Sequence, residues 1–143
     1  MTNAETVFTL TMALMDELSR TGLADTGDTR AYRQRTLPII NVLRAECARA
    51  SDDWSGAGGA RPLPPAITDF STGLGLDDGV AQSVLPYGLA AHLLLDENPA
   101  VASYFAARYE ALLADFSRAL PRRFEDIERV YGGAELSAFS TWR

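Results

Sequence analysis

The sequence predicts an all-α protein: a compact bundle of about four helices with a central apolar helix, a long Gly/Pro-rich loop and an extended C-terminal arm. Three observations carry that prediction. Apolar residues recur at spacings of three and four in several separate segments, the period of a helix with one buried face. Between Val80 and Leu95 the apolar residues fall on more than one face, as they must in a helix surrounded by protein. Asn98-Pro99 is a helix start signal, since asparagine caps and proline fits the first turn, where its missing donor costs nothing.

In the first segment, Thr2 to Arg20, Val7, Leu10, Leu14 and Leu18 form one stripe with Met15 beside it, Asn3 or Thr2 is available as a cap, and Thr21-Gly22 supplies the stop. Asp28 is the expected cap of a second helix running to about Ala50. Its face is Tyr32, Ile39, Ile40, Leu43 and Cys47, with Arg33, Arg44 and Arg49 elsewhere. Pro38 predicts a kink or break near Thr36 to Leu37. Residues 51 to 65, rich in glycine and proline, read as a surface loop long enough to suggest a functional arm. Ile67, Phe70 and Leu74 then form a short extended or turn-like piece laid on the core. Asp77 or Asp78 caps the third helix, in which Ala81, Gly88, Ala90 and Ala91 permit close approach and Pro86 bends the axis. In the fourth, Val101, Phe105, Tyr109, Leu112 and Phe116 make the clearest stripe, widened by Tyr104 and Leu113. Beyond Leu120-Pro121 the pattern decays. We therefore divide the chain into a helical domain, 1–121, and a C-terminal arm, 122–143.

Composition bounds the function. A length of 143 residues fits one domain, and 47% hydrophobic with 22% charged residues is the balance of a soluble globular protein. The longest apolar run, near Leu89, is broken by Pro86, Gly88 and His92 and falls short of the ~20 residues of a bilayer span. Met1-Thr2-Asn3-Ala4-Glu5 lacks the basic and apolar regions of a secretory signal, which makes the cytoplasm the expected address. One cysteine, Cys47, and one histidine exclude an internal disulfide and a Cys/His zinc cluster, and no cofactor is implied. All 13 basic residues are arginines, yet the net charge of −6 repels phosphate, and the arginines cluster only at Arg30/Arg33/Arg35 and Arg122/Arg123.

Catalytic motifs are weak. Asp52-Asp53, Asp77-Asp78 and Asp96-Glu97 are adjacent pairs whose members point apart on a helix, which suits capping and solvation better than acid/base chemistry. Asp25-Thr26-Gly27-Asp28 lacks the further ligands of a calcium loop. His92, set among leucines, reads as a core or edge histidine. Exposed aromatics make good anchors for another chain, so the candidate interaction residues are Trp54 in the loop and Phe124, Ile127, Val130, Tyr131, Gly132, Gly133, Phe139 and Trp142 in the arm.

Three stretches together carry a resemblance: Leu76-Asp77-Asp78, then Leu85-Pro86-Tyr87-Gly88-Leu89-Ala90-Ala91-His92-Leu93-Leu94-Leu95-Asp96-Glu97-Asn98-Pro99, then Phe105-x-x-Arg108-Tyr109-Glu110-x-Leu112-Leu113. This pattern resembles tailed-bacteriophage and prophage head–tail connector, or neck adaptor, proteins. The similarity extends more loosely to Asp28-Thr29-x-x-Tyr32, to Ile39-Ile40-Asn41-x-Leu43-Arg44-x-Glu46 and to Ile127-Glu128-x-Val130-Tyr131-Gly132-Gly133. Gly56 to Gly59 and Pro38 depart from it. The resemblance implies a structural virion-assembly protein, not an enzyme, that forms a ring-like homo-oligomer between the portal and tail-side proteins. It would be made in the bacterial cytoplasm and end in the virion neck. DNA would pass through the assembled channel without specific binding, which suits an acidic wall. Two other expectations stand beside it: a cytoplasmic helical adaptor or regulatory protein that binds a host partner, and, more weakly, an enzyme centred on His92 and nearby carboxylates.

Overall fold

The structure, a computed structural model, describes residues 1–51 and 65–119. Within them the regular elements are helices: α1 (Ala4–Leu14), α2 (Arg30–Cys47) continued by a 3₁₀ turn (Ala48–Ala50), α3 (Asp78–Ser83), α4 (Leu85–Leu93) and α5 (Pro99–Arg118). The all-α prediction holds, and α4 is its central apolar helix. It packs against α1, α2, α3 and α5, and Leu85, Leu89 and Leu93 are fully buried.

Asn3 caps α1 by accepting the Thr6 amide at 2.9 Å. The helix ends at Leu14, about two turns before Thr21-Gly22, because Asp16 takes the left-handed conformation (φ 60°). The Asp16 amide bonds the Ala13 carbonyl and the Glu17 amide the Met12 carbonyl, the paired bonds that close a helix when its next residue is left-handed. Aspartate tolerates that region better than most residues, so a stop without glycine was missed by reading for glycine alone. The buried face is consequently Ala4, Val7, Phe8, Thr11 and Met12, while Leu14 and Leu18 are exposed. Thr11 can be buried because its hydroxyl donates to the Val7 carbonyl at 2.7 Å.

Asp28 does not cap α2. Thr29 precedes the helix, and its buried hydroxyl instead ties the preceding turn, donating to the Ala24 carbonyl at 2.6 Å. Pro38 sits inside α2 without breaking it. Pro38 and Gln34, whose carbonyl loses its amide donor, are both exposed, which spares the chain a buried unpaired carbonyl. The predicted third helix, by contrast, is interrupted at Val84 (φ −102°, ψ −51°). Pro86 falls in the first turn of α4, where proline is compatible with a helix start, and the chain exploits this to separate α3 from α4. Asp77 rather than Asp78 caps α3, accepting the Val80 amide at 2.9 Å. Asp78 instead accepts both the amide and the hydroxyl of Thr2, at 2.7 and 2.6 Å, fastening the N-terminus to α3. Asn98 caps α5 and Pro99 opens it, as the sequence predicts.

Residues 65–77 form no strand, but they are held closely. The Glu5 amide donates to the Phe70 carbonyl and the Leu74 amide to the Thr2 carbonyl, and Ile67 and Leu74 are buried. Beneath them lies Arg44, only 4% exposed and on the buried face of α2 rather than off it. Its Nε donates to the Leu74 carbonyl at 2.8 Å, and a terminal nitrogen donates to the carbonyl of Pro65 at 3.0 Å and to Asn41 Oδ1 at 3.3 Å. Asn41 in turn pairs with both the amide and the carbonyl of Ile67. Burial holds the Arg44 pKa below the ordinary arginine value, although a guanidinium keeps its proton even so.

Candidate interaction groove

The groove begins with a glycine. A Cβ on Gly88 of α4 would lie 2.9 Å from two ring carbons of Tyr109 and 3.2 Å from a methyl of Leu43, so only glycine lets α5 come this close to α2 and α4. Tyr109 crosses the gap and donates its hydroxyl to Glu46 Oε2 at 2.7 Å. With that proton committed, the Cys47 thiol, 3.6 Å away, is left to donate to the phenolic oxygen. Burial pushes the Cys47 thiol up to about 11, and burial, with Cys47 and Glu46 nearby, also pushes Tyr109 upward. Cys47 is therefore a protonated core residue at neutral pH, as its solitary occurrence suggests.

Outside this contact, small side chains leave a trough. Ala91 on α4 and Ala102 and Ala106 on α5 line a cavity of about 350 Å³ whose polar margin is Glu46, His92, Ser103 and Glu110. His92 also borders a second recess of about 240 Å³, lined otherwise by Pro38, Ile39 and Val42 of α2. The two recesses thus meet at one exposed side chain. Val42 and Leu95 beside them are each 59% exposed, which leaves apolar surface uncovered among the described residues.

His92 is exposed at the C-terminal end of α4 rather than packed in the core, and it makes no hydrogen bond or ion pair among the described residues. It shares its trough with two glutamates, yet Glu46 is engaged by Tyr109, and no group of metal-ligating side chains occurs among the described residues. No base is held against a nucleophile or by an orienting partner there, which is the geometry that acid/base catalysis requires. Of the adjacent carboxylates, Glu97 accepts the Tyr32 hydroxyl, a bond that with burial raises Tyr32 to about 12, and lies 3.9 Å from Arg35. Asp25 lies 3.4 Å from Arg33, which also pairs with Glu5 at 2.7 Å and stacks 3.9 Å over the Phe70 ring. A third, open cavity, about 520 Å³, borders that cluster.

Trp54, Phe124, Ile127, Val130, Tyr131, Gly132, Gly133, Phe139 and Trp142 lie outside the described residues, as do Asp52-Asp53 and the arm itself. The groove was missed because its chemistry comes from three helices, and nothing in one sequence pairs Gly88 with Tyr109 and Glu46. Arg44 did leave a signal. It is four residues from Ile40 and adjacent to Leu43 on the buried face, a position discounted only because arginine counts as polar.

No protein-family model, curated protein or solved structure matches the chain. Among the described residues no helix is long and apolar enough to cross a membrane.

Proposed function

We propose that this chain is a structural virion-assembly protein of a tailed phage or prophage, a head–tail connector subunit that oligomerises between portal and tail. The observation that supports this reading most is where its motif residues fall. Leu85 to Pro99 and Phe105 to Leu113, which carry the resemblance, are α4 with the turn that follows it and the middle of α5, and Gly88 and Tyr109 from the two stretches set the packing of three helices. The pattern is therefore a scaffold specification rather than a scatter of apolar residues. Uncovered Val42 and Leu95, and a groove with two glutamates on its margin, suit a subunit that buries surface on assembly. The net charge of −6 suits a channel wall past which DNA slides.

The test is a search of the gene neighbourhood for portal, terminase and capsid genes and co-expression with the portal protein found there, followed by mass photometry and negative-stain microscopy. Rings on the portal are the expected result. Monomers that ignore the portal, or a gene neighbourhood without portal, terminase and capsid genes, refute the neck assignment. Capture of a host protein in their place favours an adaptor.

A further inference from the structure

We propose that the two-part groove on α2, α4 and α5 is the socket for the Arg122-Arg123-Phe124 segment of a second copy of this chain. The inference rests on the connector reading and names the surface through which its subunits join. The trough carries Glu46 and Glu110 on its margin and the adjoining recess is apolar, with Pro38, Ile39 and Val42. A matching occupant presents two cations next to an aromatic ring. Arg122-Arg123-Phe124 is such a sequence, and one of only two close arginine groups in an otherwise acidic chain. Tyr109 uses one oxygen of Glu46, and a carboxylate has further lone pairs for a guanidinium.

The occupant is assigned to a second copy because, on the connector reading, each subunit joins a neighbour, and a rotational repeat of such a one-way contact closes a ring.

The full-length chain provides the test, with self-association measured by sedimentation velocity and mass photometry. Val42 and Glu110 are exposed, so Val42→Asp and Glu110→Arg leave the core intact, as far-UV circular dichroism should verify. Each should weaken self-association about tenfold, the loss expected for one desolvated apolar contact or one reversed charge pair. Arg122→Glu should do the same, and combining it with Glu110→Arg in one chain should restore much of the lost association. Copies carrying Val42→Cys, mixed with copies carrying Phe124→Cys, should form a disulfide between chains. Variants that associate as the wild type does, or a Val42→Cys/Phe124→Cys chain that closes only on itself, overturn the socket. If rings still form on the portal in that case, the connector reading survives. A wild-type chain that forms no oligomer either alone or with portal overturns both.

Discussion

Replacing Gly88 with alanine tests the packing on which the groove depends. Alanine is the better helix former by ~1 kcal/mol, so on propensity alone the change stabilises α4. Against this, the new Cβ would lie 2.9 Å from two Tyr109 ring carbons and 3.2 Å from Leu43, closer than carbon atoms pack. Overfilling a close-packed core costs ~1–3 kcal/mol. The ring cannot simply swing away, because its hydroxyl is held by Glu46, and giving up that charge-assisted bond costs a further ~1 kcal/mol or more. The net is a loss of about 2 kcal/mol, or about 6 °C in Tm for a chain of this size. Thermal and urea unfolding followed at 222 nm measure it. In a Tyr109→Leu background the penalty should shrink or reverse, since the ring that obstructs the methyl is gone. Stabilisation by Gly88→Ala in the wild type, or an equal cost in both backgrounds, refutes the close-approach account.

Arg44→Met keeps the bulk of the stem but strands the Leu74 and Pro65 carbonyls, and should cost about 3 kcal/mol in urea unfolding. Asn3→Ala removes the cap of α1 and should cost about 1 kcal/mol, whereas Asp16→Gly, which relieves a left-handed aspartate, should leave stability unchanged or raise it slightly. Stability should fall as pH rises above 9. The unfolded Cys47 thiol ionises near 9.0 while the folded one holds its proton to about 11, so the native state binds more protons across that window. Tyr32, raised to about 12, extends the decline. Urea unfolding at pH 8, 9, 10 and 11 reads the slope, and Cys47→Ala should flatten its first part.

Periodicity and caps made the bundle legible. Asn3, Asp77 and Asn98 each occupy the cap that their side-chain chemistry suggests, because capping is decided within a few residues. Misreadings arose where tertiary contacts outweighed local signals. Pro38 is harmless because it faces water, and Pro86 opens a new helix instead of bending an old one. Arg44 is buried because backbone carbonyls from residues 65 and 74 converge on it, which no local pattern records. The groove was illegible for the same reason: Gly88, Tyr109 and Glu46 are informative only once α2, α4 and α5 are side by side. His92, which its leucine neighbours leave open between core and edge, lies at the edge, on the outward side of a helix whose other faces are buried.

The anchoring of residues 51 and 65 has an evolutionary consequence. The Ser51 hydroxyl accepts the Asp77 amide at 2.8 Å, and Arg44 grips the Pro65 carbonyl, so both boundaries of the intervening stretch are fixed to the bundle by bonds that do not involve it. Substitutions or changes of length between residues 52 and 64 therefore leave both attachment points in place, so the bundle can stay constant while that interval of sequence diversifies.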